Sequence, residues 1–236
     1  MSMGMLEDLY EVFSLLHKRK DIRVLILTGA GRGFSSGADL VDAAERQADE
    51  VMKNAADYLV AGQQKYSGII LAMRRLTQPI IAAVNGVAAG GGMCMALASD
   101  VIYAGQNAKF IPSFVNIGLS GGELGLSYFL PKMIGSVRAS EIMMTGRTVF
   151  AEEAERIGLV CKTVKDEDLL NTAMDTARVM LAKSIHGLWM TKDVLNCNLN
   201  APSLEVAINI EDRNQSLALF APDFLDAVTR FNKSKG

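Results

Sequence analysis

Ile80-Ile81-Ala82-Ala83-Val84-Asn85-Gly86-Val87-Ala88-Ala89-Gly90-Gly91-Gly92-Met93-Cys94-Met95-Ala96-Leu97-Ala98 is the stretch that decides the architecture. It carries no charge and one strongly polar residue, Asn85. Its length and hydropathy suit a membrane span, but four glycines and the preceding Pro79 break it in the middle. It reads instead as a buried strand over Pro79–Val84, a glycine turn, and a short buried helix over Met93–Ala98. Gly90 to Gly92 open that helix, so its first N–H groups and its dipole point at whatever sits before them.

A second constellation, Phe34-Ser35-Ser36-Gly37-Ala38-Asp39-Leu40, stands just after a short apolar run, Val24–Leu27, that reads as another buried strand. In both places small residues strip side chains from a turn behind a strand, so a ligand can approach backbone N–H groups closely. Two such loops can each give one N–H to a developing oxyanion, as in enolate or tetrahedral intermediates. The alternative is a pair of tight turns that only pack strand on helix. No GxGxxG follows the first strand and no P-loop lysine is present, which argues against dinucleotide binding and nucleotide hydrolysis.

Outward from these loops, strands and helices alternate. A helix carrying Leu6, Leu9, Tyr10, Phe13, Leu16 and His17 opens the chain, and Lys18, Arg19 and Lys20 close it. The loop Gly31–Gly37 follows the first strand, and Asp42–Gln64 has a polar helical pattern. Ile69–Leu76 reads as a helix. Strands are expected at Val101–Ala104, Lys109–Ile111 and Leu159–Val164, and helices at Ala139–Met144 and Ala151–Arg156. After Asp166 the pattern is almost wholly helical, with apolar stripes that suggest a partner subunit. The pattern is that of an α/β fold with parallel pairing, divided into a core over 1–165 and a helical region over 166–236.

Composition limits the function. The 236 residues bury roughly 70–75% of the unfolded surface. Lys plus Arg number 24 and Asp plus Glu 26, so no global charge draws nucleic acid or anionic lipid. Cys94, Cys161 and Cys197 form no CxxC pair, and His17 and His186 cannot build a multi-histidine centre, so no metal site and no cofactor are expected. A reducing cytoplasm fits this cysteine usage. The start lacks a basic n-region, and Glu7, Asp8 and Glu11 interrupt any signal-like stretch.

The pair FSSGADL and AAVNGVAAGGG resembles the enoyl-CoA hydratase/isomerase (crotonase) superfamily. The likeness extends through Ile117-Gly118-Leu119, Leu130-Pro131, Ile134-Gly135, Thr145-Gly146-Arg147, Ala151-Glu152-Glu153-Ala154 and Gly158-Leu159-Val160, and covers roughly residues 5 to 235. It implies a crotonase-like spiral of ββα turns with a helical C-terminal oligomerisation region that builds a homotrimer or a dimer of trimers. It implies an acyl-CoA thioester substrate, with coenzyme A entering only as part of that substrate. By motif position, the thioester oxygen would sit between the N–H groups of Ala38 and Gly91. Ser36, Gly37 and Gly90 would shape that site, and Asp39 would order the loop or cap the helix after it. The resemblance also implies an opening edge strand before the first helix, so that strand and some coenzyme-facing groups are expected to be absent from the sequence given.

Hydration of an enoyl thioester needs two carboxylates around one water. The resemblance puts those glutamate positions on Cys94 and Phe114, so both are absent here. Cys94 reads as buried and inert, and Phe114 as a wall of the acyl pocket. One carboxylate remains nearby, Glu123, in Ser120-Gly121-Gly122-Glu123-Leu124-Gly125. Its place resembles the catalytic aspartate of dienoyl-CoA isomerases and the nucleophile of chlorobenzoyl-CoA dehalogenases. An apolar setting favours its protonated form, which suits a proton shuttle; the alternative is a loop-stabilising glutamate. Arg32, beside the first loop, is a candidate for the nucleotide end, and Lys192, Arg213 and Lys233 for coenzyme A phosphates, against a solvated helix face. Trp189, Phe220 and Phe224 read as core or oligomer contacts. The functions that follow are an acyl-CoA enzyme with a single acid/base, a hydratase proper being disfavoured, or an acyl-CoA binder without catalysis. A scaffold subunit fits poorly with intact loops.

Overall fold

The computed structural model describes residues 1–41 and 54–233. The chain opens with helix α1, Met3–Lys18, whose Leu6 and Phe13 are buried. Strands then alternate between two four-stranded sheets. β1 (Leu25–Thr28), β3 (Ile80–Val84), β5 (Val101–Gly105) and β8 (Lys162–Val164) form the first, all parallel. β2 (Gly33–Ser35), β4 (Val87–Ala89), β6 (Lys109–Ile111) and β7 (Val149–Phe150) form the second, in which only β6–β7 is antiparallel. Each of β1β2, β3β4 and β5β6 places one strand in each sheet before a helical segment. That succession is the expected spiral of ββα turns.

The helical segments are α2 (Ala55–Tyr58), which runs through a π turn at Leu59–Gln63 into α3 (Gln64–Arg75), then α4 (Gly91–Leu97), α5 (Leu126–Ile134), α6 (Ser136–Thr145) and α7 (Ala151–Arg156). After β8 come α8 (Leu169–Leu181), α9 (Ile185–Asn198), α10 (Leu204–Leu219) and α11 (Pro222–Lys233). The polar helix expected from Asp42 falls, over 42–53, outside the described residues.

Three strands escaped the sequence reading. β2, β4 and β7 are only two or three residues long, and β2 and β4 lie inside the segments read as glycine loop and turn. Such segments show no alternation of their own; they are strands because neighbouring strands supply the ladder. The run Ile80–Val84 is buried at every position because both faces are covered. Ile80, Ala82 and Val84 face the main core with Met93, Phe110 and Leu126, while Ile81 and Ala83 pack on Leu169, Ala173 and Ala177 of α8.

The helical region is pinned to this core through a buried ion pair. Lys192 of α9 is only 5% exposed; its Nζ lies 2.8 Å from Asp100 Oδ2 and donates to the Gln78 carbonyl at 2.8 Å. Burial pulls its proton affinity down, against the pull of Asp100. Lys192 is therefore spent inside the fold and does not present its charge to a phosphate. Arg213 hydrogen-bonds Asn214 and Asp193, and the side chain of Lys233 lies outside the described residues. Removing one member of a buried pair typically costs 3–5 kcal/mol. Asp100 keeps Arg74 at 3.1 Å and the Ile80 N–H at 2.8 Å, so Lys192→Met is expected to cost about 3 kcal/mol. Urea unfolding measures this; a change well under 1 kcal/mol would mean that the pair adds nothing to stability.

Candidate active site

Asn85, the one polar residue in the apolar run, ties the two glycine loops together. Its Nδ2 donates to the Gly29 and Gly31 carbonyls at 3.1 and 3.0 Å, and its Oδ1 accepts from the Gly29 N–H at 3.1 Å. The loops then meet at close range. A Cβ on Gly92 would lie 2.3 Å from the Ser35 carbonyl oxygen, so only glycine lets α4 start against β2. Gly37 holds φ +87°, and a Cβ there would lie 2.8 Å from the Ala89 carbonyl oxygen.

Between the loops is a cavity of 330 Å³, lined by Ser36, Gly37, Ala38, Gly90, Gly91, Phe114 and Glu123 among others. Neither the Ala38 nor the Gly91 N–H finds an acceptor among the described residues; α4's first intrahelical bond is from Cys94 N–H to the Gly90 carbonyl at 3.1 Å. Two donors are thus left over at the wall of one mostly apolar cavity. Met1 also lines it, its methyl group against Gly91, and its carbonyl accepts from the Asp39 N–H at 3.0 Å.

Seven of the nine sequence-derived site residues line this cavity. Asp39 and Arg32 do not. The Asp39 carboxylate accepts from the Val41 N–H at 3.0 Å, closing a turn at the end of the loop. Arg32 is exposed, and its carbonyl oxygen packs against Gly86.

Glu123 enters on a strained turn. Its carbonyl accepts from the Leu126 N–H at 2.8 Å across Leu124 (φ +47°) and Gly125 (φ +82°). Leu124 is the only non-glycine with positive φ among the described residues, a conformation that costs on the order of 1–3 kcal/mol. Cys94 supports the turn from below: fully buried, its Sγ donates to the Glu123 carbonyl at 3.6 Å. Burial and the neighbouring Glu123 push the Cys94 thiol far up, so it makes no thiolate nucleophile. Phe114, 8% exposed, is a cavity wall. A larger groove of 460 Å³ lies on the other side of Leu124, but no carboxylate lines it. Of these two cavities, only the smaller one brings a carboxylate together with the Ala38 and Gly91 amides.

Sequence reading missed Gln63. Its Nε2 donates to Glu123 Oε1, and Tyr58 and Tyr66 share the cavity wall with it. The polar pattern around Gln63 pointed to a solvated helix, and nothing local marked a turn inward.

Residues 1–233 match the enoyl-CoA hydratase/isomerase family. The chain belongs to it. Among curated relatives of this family member, the probable enoyl-CoA hydratase EchA12 of Mycobacterium tuberculosis is 44% identical over 97% of this chain and 80% of its own length. The 1,2-epoxyphenylacetyl-CoA isomerase of Escherichia coli is 34% identical over 95% of this chain and 83% of its own. Among solved structures, a monofunctional enoyl-CoA isomerase from M. smegmatis is 46% identical, with a TM-score of 0.73 over 88% of this chain and 86% of that one. Among the described residues, no helix is long and apolar enough to cross a membrane, and no cluster of His, Cys, Asp and Glu could hold a metal ion.

Proposed function

We propose that this chain transforms acyl-CoA thioesters through an enolate held by the Ala38 and Gly91 amides, with Glu123 as its single acid/base. The observation that carries this reading is one cavity lined by one carboxylate and by two N–H donors that find no acceptor among the described residues. In the simplest reaction the ionised Glu123 takes a proton from the carbon next to the thioester. Negative charge moves onto the thioester oxygen, where the two N–H groups stabilise it. The protonated Glu123 then returns the proton two carbons further on, which moves a double bond and restores the carboxylate. Ring opening is open to the same groups, and so is hydrolysis, in which the Glu123 carboxylate attacks the thioester carbon, coenzyme A leaves as its thiolate, and water then cleaves the acyl anhydride to free the acid and restore Glu123. No cofactor is required beyond the coenzyme A that arrives with the substrate, and neither nucleic acid nor membrane takes part.

A non-catalytic acyl-CoA binder is the second reading, favoured by the absence of carboxylates at Cys94 and Phe114. Turnover across a panel of enoyl-, epoxy- and aryl-CoA thioesters separates the two. Conversion of one of them supports the enzyme; tight binding with no conversion of any supports the binder. For assembly the reading keeps a homotrimer or a dimer of trimers, in the cytoplasm. Its support is the apolar surface of the last helices, where Leu204 is 76% and Phe220 90% exposed.

A further inference from the structure

The π turn at Leu59–Gln63 sets the phase of the helix that faces the cavity. The Gln64 N–H reaches the Leu59 carbonyl five residues back, where an unbroken α-helix would bond four back. The turn inserts one residue and rotates the following segment by about 100°. Without it, Tyr58 would share its face with Gly62. With it, Tyr58 shares its face with Gln63, five residues on, and then with Tyr66. All three line the cavity. Gly62 stays beneath the Tyr58 ring, where a Cβ would lie 3.3 Å from it.

From this we infer that Gln63 is the positioning residue of Glu123, delivered to it by the π turn. The carboxylate hangs from the strained Leu124 turn, and the described fold offers its Oε1 the Gln63 amide as a side-chain donor. An N–H donated to a carboxylate fixes its direction and favours its charged form, the form able to take a proton. Gln63 touches Glu123 and acts through it. The inference rests on Glu123 being the acid/base.

Its test is a double-mutant cycle on the acyl-CoA that the thioester panel identifies. In the wild-type background, Gln63→Leu is expected to lower kcat about 10- to 100-fold with little change in KM. The acid limb of its kcat/KM profile should move up, because the base loses the bond that favoured its charged form. In a Glu123→Gln background the same change should alter kcat by less than about twofold, since acting through Glu123 is all Gln63 is assigned. Gln63→Glu, closer in shape, is a second route: a carboxylate pair should push the acid limb further up. Equal losses in both backgrounds, or an unmoved acid limb in both Gln63 variants, would overturn the positioning role while leaving Glu123 as acid/base. Full turnover by Glu123→Gln alone would overturn both.

Discussion

Glu123→Gln is expected to lower turnover of the true acyl-CoA substrate by about 10²–10⁴-fold, the range for removing a positioned acid or base. Binding of the thioester should persist, because the two amides and the apolar walls are untouched. The amide keeps the size of the carboxylate and removes its ability to carry a proton. A purely structural Glu123 would behave differently, because a glutamine side chain can still accept and donate on the same turn. Two features separate the side chain from the turn it sits on. The Leu126 N–H is bound by the backbone carbonyl of Glu123, not its side chain. The side chain reaches Gln63 within the cavity instead. Single-turnover kinetics with saturating enzyme give the chemical step directly. Full turnover in the variant would leave Glu123 a loop residue and remove the acid/base from the proposed mechanism.

The parts of the site that lie on strongly patterned segments were legible in the sequence. Ile80–Val84 is apolar at every position and proved to be the central, doubly covered strand. The glycines behind it marked where two loops approach closely enough to leave the Ala38 and Gly91 amides facing one cavity. The second sheet was largely illegible, because β2, β4 and β7 take their extended form from partners distant in sequence. Asp39 and Lys192 show the limit for charged residues. A sequence gives their charge but not where it is spent: Asp39 on the N–H of Val41, Lys192 on Asp100 beneath the helical region. Gln63 was illegible for a further reason. A π turn changes the period within a helix, so a reading at one fixed period assigns the residues after it to the wrong face.

Crotonyl-CoA, the short enoyl thioester, is expected to be hydrated at well under about 1 per second, below the usual range for an enzyme on its own substrate. Water addition needs one group to take the proton of water and another to protonate carbon, and each is worth about 10²–10⁴ in rate. The positions where the family resemblance puts these groups hold Phe114, an apolar wall, and Cys94, which is sealed under the Glu123 turn and does not line the cavity. The Cys94 thiol holds its proton too tightly to act as a base. Glu123 alone, in the proposed mechanism, moves a single proton between two carbons and leaves the water unassisted. The amides would still stabilise the enolate, so a residual rate above that of free crotonyl-CoA in water is expected. Cys94→Glu should not create a hydratase. A carboxylate placed there would be buried among apolar neighbours and would press on the carbonyl of the Glu123 turn. The loss of absorbance of the enoyl thioester, followed at high enzyme concentration, measures the rate. Hydration at 10²–10³ per second would mean either that Glu123 serves both proton transfers or that another group activates water, and the single-carboxylate reading would fall.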